Sequence, residues 1–264
     1  MYKVVFCDLD GTLLNNHSQI SEGNNEAIKK AKEKGVHFLP CTGRTPFALQ
    51  GLIDGTAVTM DNYISSNGAM VMCDGQLIHK QLLDKELGKK IILYNLEHKV
   101  FTKFYTDNAI VGFDCFTIPD TYRGSKPELM PIEKAMEIYD SVDVYKFTVE
   151  DSNAKLLKDM EKVYRELVND NLQFTYTNEY FLEVIAKNQT KGNAIDMYCK
   201  KLGISPSETI GIGDNENDTT MLLACGLPTC VNNATDAIKS ICKYVAVNAN
   251  DQDGVKEILE KYVL

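Results

Sequence analysis

The chain has 264 residues, of which 44% are hydrophobic and 25% charged, and this length can bury one large core or two smaller ones. Its formal net charge of −9, with no dense run of Lys and Arg, argues against nucleic acid or an anionic membrane surface as a partner. The first residues lack the pattern of a signal peptide and no run approaches 18 apolar residues, so the sequence predicts no membrane span.

Eight cysteines are spread along the chain, and none of them forms a C-x-x-C pair. Their spacing matches neither a zinc site nor a disulfide framework, so we expect reduced, mostly buried thiols. Thiols stay reduced in the cytoplasm, and this usage therefore predicts a cytoplasmic protein.

The first part of the chain alternates short apolar runs with helical patterns. Residues 3–7 and 36–40 are apolar runs that predict buried strands. Between them, 21–34 is predicted to be a helix that begins at a capping Ser21 and stops at Gly35. The further predicted elements are a helix at 46–53 and strands at 63–66 and 69–73, which flank a turn at "NGA".

From about residue 84 the pattern changes to that of an α+β segment. Residues 100–105 alternate polar and apolar side chains, which predicts a strand with one solvated face. An irregular stretch that contains Pro and Gly covers 118–131. The other predicted elements, which indicate antiparallel pairing, are helices at 85–97, 132–139 and 153–169 and strands at 142–149, 172–177 and 180–185.

From residue 191 short buried strands again alternate with helices, a pattern typical of a parallel sheet covered on both faces. The predicted elements are helices at 191–202, 217–224, 234–240 and 254–262 and strands at 209–213, 229–231 and 244–247. The sequence therefore predicts an α/β fold with a doubly wound, Rossmann-like parallel-sheet core. That core would comprise 1–83 and 188–264, and an α+β domain would be inserted at 84–187.

Two carboxylates stand where the first predicted strand ends, in "VVFCDLDGTLL". Asp8 and Asp10 are two positions apart, so both side chains point to one side of an extended chain. The carboxyl end of a strand in a parallel sheet is where ligands bind, and two oxygen ligands there suit Mg²⁺. By itself the pattern fits a solvated Asp-rich turn almost as well.

Weaker signals follow at two other predicted strand or helix ends. Thr42 and Gly43 in "CTGR" could donate hydrogen bonds to a phosphate oxygen, although a plain Thr/Gly turn is by itself the better explanation of them. Lys191 in "QTKGNAI" precedes a helix and could reach an anion there, although most single lysines lie at the surface.

The stretch "GIGDNENDTTML" is richer in polar side chains. Asp214 and Asp218 are four positions apart and would face one site if that turn is helical, and Asn217 could donate through its amide. Helix capping is the alternative explanation. A dinucleotide-binding loop is disfavoured, because its third glycine position is occupied by Glu216 and the acidic cluster would repel a pyrophosphate.

Taken together, these motifs resemble those of the haloacid dehalogenase-like hydrolases. "DLDGTLL" is similar to the first motif of that family, Thr42 to the second, Lys191 to the third and "GDNEND" to the fourth. The position of the insert, between "SSNGA" and "YFLEVIAKNQTKG", and the tail "DGVKEILEKY" resemble the Cof-type branch, which carries a large α/β cap. One departure is "VNNAT" at 231–235, which lies outside the four motifs.

The resemblance implies a phosphatase that works through a phosphoaspartate. Asp8 would be the nucleophile, and Asp10 would protonate the leaving group and then deprotonate water. Mg²⁺ would be held by Asp8, the backbone carbonyl of Asp10 and Asp214. The phosphoryl group would be bound by Lys191, Thr42, Asn217 and the N–H groups of Leu9 and Gly43. Asp218 would orient Lys191 or metal-bound water.

The cap would choose the leaving group, with Arg44 and Asn67 as core residues that could contact the substrate or the cap. A hinge salt bridge or a turn position explains those two equally well, and Asp114, Arg123 and Tyr180 are weaker candidates in the insert. Cys7 and Cys41 are predicted to face the core. The partner is expected to be a small phosphorylated metabolite, and the pattern specifies no oligomeric state. The alternative functions are a hexose phosphomutase and a non-catalytic sensor of phosphorylated metabolites.

Overall fold

A computed structural model describes residues 2–119 and 126–264 of the chain. The strands within these residues are β1 (Val4–Cys7), β2 (His37–Pro40), β3 (Tyr63–Ser65), β4 (Met70–Cys73), β5 (Gln76–Lys80), β6 (Phe101–Tyr105), β7 (Ile110–Phe113), β8 (Glu128–Met130), β9 (Lys146–Glu150), β10 (Leu172–Asn178), β11 (Phe181–Ala186), β12 (Thr209–Gly213), β13 (Leu227–Cys230) and β14 (Tyr244–Val245). The α-helices are α1 (Glu22–Glu33), α2 (Pro46–Ile53), α3 (Lys85–His98), α4 (Ile132–Ser141), α5 (Ala154–Leu167), α6 (Lys191–Leu202), α7 (Thr219–Ala224), α8 (Asp236–Ile241) and α9 (Gly254–Tyr262).

The chain forms two compact units. The first comprises Met1–Lys80 and Thr190–Leu264, and the second comprises Gln81–Gln189. The first unit contains a five-stranded parallel sheet in the order β14-β13-β12-β1-β2 and an antiparallel sheet in the order β3-β4-β5. The predicted α/β class with a parallel-sheet core is therefore confirmed. Strand β5 was not predicted, because its sequence "QLIHK" lacks a buried face.

The position of β1 between β12 and β2 determines where this sheet can bind a ligand. β1 pairs with β12 on one side and with β2 on the other, although β12 follows about 170 residues after β2. The direction in which successive strands are added therefore reverses at β1. Ligands bind at such a reversal, in the crevice beyond the carboxyl ends of the strands. The loops that follow β1, β2 and β12 are the ones that meet there.

The second unit is a six-stranded sheet in the order β10-β11-β9-β6-β7-β8, with α3, α4 and α5 packed on it. Side chains such as Ile91, Tyr139 and Tyr164 from the helices form an apolar core with Phe104 and Phe147 of the sheet. All described pairs are antiparallel, as predicted, except β7 with β8, which is parallel. Strands β7 and β8 were not predicted, because each is short and borders irregular sequence.

The prediction of a solvated face on the strand at 100–105 is wrong. All five residues of β6 are buried, and the side chain of Lys103 is 0% exposed. Its Nζ lies 2.9 Å from Oε1 of Glu150 on the neighbouring β9. A charge is tolerated inside a protein when it is paired in this way. The charged side chain in β6 therefore belongs to a buried ion pair and not to a face in contact with water.

Two further predictions can be compared with the described residues. All eight cysteines are free and six of them are buried, including Cys7 and Cys41, as predicted. The helix predicted to begin at 217 instead begins at Thr219, after a 3-10 turn at Glu216–Asp218. No helix in the described part of the chain combines the length and the apolar character that a membrane crossing needs.

Candidate active site

The loop after β1 carries both carboxylates of the DLD motif. The N–H of Asp8 donates to the carbonyl of Ile212 in β12 (2.9 Å), and the Asp8 side chain is buried, whereas Asp10 is exposed. The chain then turns at Gly11, whose φ of +84° lies in the region that glycine favours. A Cβ at Gly11 would lie 2.5 Å from Oδ2 of Asp214, so only glycine allows this close approach.

Lys191 is enclosed between two carboxylates. It is the first residue of α6, which begins after Thr190, whose side chain accepts a hydrogen bond from the N–H of Asn193. The Nζ of Lys191 donates to Oδ1 of Asp8 and to Oδ1 of Asp218, at 2.5 Å each, and its side chain is 1% exposed. The capped start of α6 thus places a buried cation beside the carboxylate of Asp8.

The turn after β12 holds the other two carboxylates. Oδ1 of Asp214 accepts a hydrogen bond from the hydroxyl of Thr12 (2.7 Å). Oδ2 of Asp218 accepts from the backbone N–H groups of Asp214 (3.0 Å) and Asn215 (3.3 Å). Because its other oxygen accepts from Lys191, Asp218 is held from two sides and serves to fix that lysine.

Burial and neighbouring charges shift the pKa values of the groups in this cluster. Burial raises the pKa of Asp8 well above its usual range, and the neighbouring Asp218 raises it further. Burial also raises the pKa of Asp214 to about 6. Burial alone would lower the pKa of Lys191, but the carboxylates of Asp218 and Asp8 raise it well above its ordinary value, so the amine stays protonated.

The same cluster fits a divalent cation. One carboxylate oxygen from each of Asp8, Asp214 and Asp218 lies within 4.8 Å of the other two. When all three carboxyl groups are ionised they outnumber the one lysine, and a hard cation would offset their mutual repulsion. Oxygen donors of this kind are the ligands that Mg²⁺ prefers. The donor set is therefore suited to Mg²⁺.

The loop after β2 is built around Thr42, which is buried. Its N–H donates to the carbonyl of Ile64 (2.9 Å), its carbonyl accepts from the N–H of Asn67 (2.9 Å), and its hydroxyl accepts from the N–H of Arg44 (3.1 Å). A Cβ at Gly43 would lie 3.0 Å from Oδ1 of Asn67. Asn67 has a φ of +55°, a left-handed conformation that Asn tolerates. Predicted residues from two segments therefore meet in this loop.

Arg44 and Asp10 form a bidentate ion pair. Nε of Arg44 donates to Oδ2 of Asp10 (2.8 Å), and Nη2 donates to Oδ1 (2.6 Å). The pair joins the loop after β1 to the loop after β2. Contact of Arg44 or Asn67 with a substrate stays a prediction.

The remaining predicted residues lie in less constrained places. Leu9 is buried directly after Asp8, and Asn217 is half-buried in the 3-10 turn after β12. The weaker candidates Asp114 and Tyr180 belong to the second unit, and Arg123 lies outside the described residues.

Two asparagines that were not predicted support the loop after β1. The amide of Asn233 donates to the carbonyl of Gly11 (2.8 Å) and accepts from the N–H of Asn250 (2.9 Å). The amide of Asn250 in turn donates to the carbonyl of Leu14 (2.8 Å). Asn233 is 222 positions from Gly11 in the sequence, so no local pattern could have indicated the contact. Thr12 was not predicted as a site residue either, and its position in the stretch "DLDGT" is the one feature of the sequence that could have indicated it.

A parallel sheet in which the interior strand β1 ends in a lysine-paired carboxylate, with further carboxylates beside it, is an arrangement typical of α/β enzymes that bind a ligand at this edge of the sheet. The chain belongs to the haloacid dehalogenase-like hydrolases, whose family model matches residues 5–259. The predicted family and the predicted enzyme class, a hydrolase of phosphate monoesters, are confirmed.

Individual relatives differ in how much of their length is shared. The 5-amino-6-(5-phospho-D-ribitylamino)uracil phosphatase YwtE of Bacillus subtilis is 28% identical over 287 residues, which cover 98% of this chain and 97% of that protein. The chloroplastic endoribonuclease YBEY of Arabidopsis thaliana is 30% identical over 274 residues, but this chain spans only 46% of it. A haloacid dehalogenase-like hydrolase structure from B. subtilis superposes with a TM-score of 0.84 at 24% identity, covering 99% of this chain and 100% of that one.

Proposed function

We propose that this protein is a Mg²⁺-dependent phosphatase that hydrolyses phosphate monoesters of small metabolites, sugar phosphates or similar, through a phosphoaspartate. The observation that carries the proposal is the placement of Asp8, a buried carboxylate at the end of β1 and 2.5 Å from Nζ of Lys191. Asp10 follows two residues later on the same loop. A carboxylate beside a cation, with a second carboxylate near it, supports nucleophilic attack followed by hydrolysis.

The reaction would take two steps. In the first, a carboxylate oxygen of Asp8 bonds to phosphorus, the bond from phosphorus to the leaving oxygen breaks, and protonated Asp10 gives its proton to that oxygen. In the second, ionised Asp10 takes a proton from water, the water oxygen bonds to phosphorus, and the bond between phosphorus and Asp8 breaks. Inorganic phosphate leaves, and both carboxyl groups return to their starting states.

The phosphoryl oxygens would be bound by donors from three loops. These donors are Nζ of Lys191, the hydroxyl of Thr42, the amide of Asn217 and the N–H groups of Leu9 and Gly43. Positively charged and N–H donors stabilise the charge that develops in the transition state of phosphoryl transfer. Asp218 would keep Lys191 in place, and its contact with Nζ at 2.5 Å supports that role.

Asp8, Asp214 and the backbone carbonyl of Asp10 would hold Mg²⁺. When bound, the ion reduces the repulsion between the carboxylate nucleophile and the anionic phosphate. The carboxylate oxygens of Asp8, Asp214 and Asp218, which lie within 4.8 Å of one another, support a cation at this place. Thr12 would orient the Asp214 carboxylate through its 2.7 Å hydrogen bond.

The second unit, Gln81–Gln189, would act as a cap that selects the leaving group, and Asn67 is a candidate to contact the substrate. The full-length relative YwtE is named a phosphatase for a phosphoribitylamino compound, which favours a polyol- or sugar-like leaving group here. We place the reaction in the cytoplasm, because a chain with eight free thiols suits a reducing compartment.

The test is release of inorganic phosphate by the whole chain from a panel of substrates, with Mg²⁺ and with EDTA. The panel comprises p-nitrophenyl phosphate, hexose and pentose phosphates, 5-amino-6-(5-phospho-D-ribitylamino)uracil, nucleotides and pyridoxal phosphate. Asp8→Asn is the control. Activity of the wild type that is no greater than that of the Asp8→Asn variant would overturn the proposal.

Product analysis in the same experiment separates the two alternatives. Phosphate lost to water without an isomerised product excludes a phosphomutase. Binding of panel compounds without turnover would instead indicate a sensor.

A further inference from the structure

We propose that Arg44 is a positioning residue for Asp10 and not a substrate contact. The inference rests on the proposed function, because it concerns the group that moves the proton. The observation behind it is the bidentate ion pair, in which Nε and Nη2 of Arg44 bind the two carboxylate oxygens of Asp10 at 2.8 and 2.6 Å. The Nε and Nη2 donors on one edge of the guanidinium therefore both bind Asp10.

Arg44 is itself held on both sides of its Cα. Its N–H donates to the hydroxyl of Thr42 (3.1 Å), and its carbonyl accepts from the N–H of Ser66 (2.8 Å). The guanidinium thus starts from a backbone fixed in the loop after β2, which also carries Thr42. Its side chain is only 27% exposed, whereas that of Asp10 is 54% exposed.

Asp10 needs such a partner more than Asp8 does. Asp8 is buried and fixed by Lys191, whereas Asp10 is exposed, and an unpaired carboxylate at an exposed position would sample several rotamers. A proton-transfer group works only within hydrogen-bonding reach of its target, and loss of that alignment slows the reaction. The two parallel hydrogen bonds from Arg44 fix both the distance and the plane of the Asp10 carboxylate.

The two roles of Arg44 predict different kinetics. A positioning residue lowers kcat, leaves KM nearly unchanged and has no effect once Asp10 is gone. A substrate contact raises KM and still matters in the absence of Asp10. The leaving group sharpens the contrast, because a poor alkoxide leaving group needs the proton from Asp10 and p-nitrophenolate does not.

The experiment compares Arg44→Gln and Arg44→Lys, each in the wild-type and the Asp10→Asn background. The substrates are p-nitrophenyl phosphate and whichever alkyl phosphate of the panel is turned over fastest. Arg44→Gln should lower kcat for the alkyl phosphate by about 10- to 100-fold, a part of the roughly 10²- to 10⁴-fold that acid–base catalysis supplies. The kcat of Arg44→Lys should lie between those of the wild type and Arg44→Gln, because an ammonium group cannot bridge both carboxylate oxygens of Asp10.

Pre-steady-state kinetics with p-nitrophenyl phosphate give a second readout. Phosphoenzyme should form quickly in Arg44→Gln but break down slowly, because the water still needs Asp10 as its base. A burst of p-nitrophenolate followed by a slow steady state is therefore expected, as for Asp10→Asn. In the Asp10→Asn background, adding Arg44→Gln should change kcat less than 2-fold.

Arg165→Gln is the matched control, since Arg165 also makes paired hydrogen bonds, to Glu161 and Asp170, but belongs to the second unit. It should leave kcat and KM unchanged. A thermal melt checks folding, and Arg44→Lys keeps the test open if Arg44→Gln does not fold.

A rise in KM with unchanged kcat, or additive losses in the double variant, would overturn the positioning role. If the wild type releases no phosphate from any substrate, the proposed function itself fails. If wild type and Asp10→Asn behave as proposed but Arg44→Gln behaves like wild type, only the inference about Arg44 fails.

Discussion

Replacement of Lys191 by Met tests the buried charge cluster most directly. Met keeps most of the volume of the lysine stem and removes only the charge. The side chains of Lys191, Asp8 and Asp218 are 1%, 6% and 0% exposed, so the substitution leaves two buried carboxylates without their cation. Breaking a buried pair in this way costs about 3–5 kcal/mol of unfolding free energy, which corresponds to roughly 6–20 °C in Tm for a unit of this size.

The assay is urea and thermal unfolding of the full chain in EDTA, because a bound divalent cation would replace the missing charge in part. Lys162→Met is the matched control, since Lys162 is 75% exposed and its ion pair with Asp159 is solvated. That variant should be indistinguishable from the wild type.

The pH dependence of the Lys191→Met variant follows from the raised pKa values. A carboxyl group whose pKa is higher in the folded than in the unfolded state adds stability below its unfolded pKa, and this stability is lost as pH rises through the folded pKa. Burial raises the pKa of Asp8, so the loss in Lys191→Met should be smaller at pH 5 than at pH 8. A loss of unfolding free energy below about 1 kcal/mol, the range of surface pairs, would refute the burial of Lys191 between the two carboxylates. A loss that is the same at pH 5 and pH 8 would refute it as well.

Three further predictions concern the same site. Asp8→Asn should abolish phosphoenzyme formation, whereas Asp10→Asn should slow both steps and still form phosphoenzyme from p-nitrophenyl phosphate; trapping of ³²P-labelled protein would show whether the two variants differ. Protons compete with Mg²⁺ for Asp214, whose pKa is about 6. The rise in Tm on adding Mg²⁺ should therefore be larger at pH 7.5 than at pH 5, and it should be smaller in Asp214→Asn than in the wild type. Equal Tm shifts at both pH values would contradict this. Gly192→Ala should destabilise the protein by about 1–3 kcal/mol, because the added Cβ would lie 2.5 Å from the carbonyl oxygen of Thr220 in α7. A thermal melt identical to that of the wild type would contradict the close approach of α6 and α7.

Local patterns predicted the elements that carry the site with good accuracy. The bounds of α2, α6, α9 and β12 agree with the prediction residue for residue, because each has a capping residue, a Pro, a Gly or a sharp change of polarity at its ends. Strands β5, β7 and β8 were missed, because short strands without an apolar face carry little periodic signal. The polar side chains of β6 were taken as solvated, since one strand does not reveal that Glu150 of β9 faces Lys103.

The sequence by itself determined the order of the motifs, the capped start of α6 at Lys191 and the presence of glycine at positions 11 and 43. These are properties of a few neighbouring residues, and their physical causes act over a few residues. Only the tertiary structure decided that Lys191 lies between Asp8 and Asp218, that Asn233 supports Gly11, and that Arg44 binds Asp10. Each of these contacts joins segments that are far apart in the chain, and the order in which β13, β12, β1 and β2 pair determines which of the loops become neighbours.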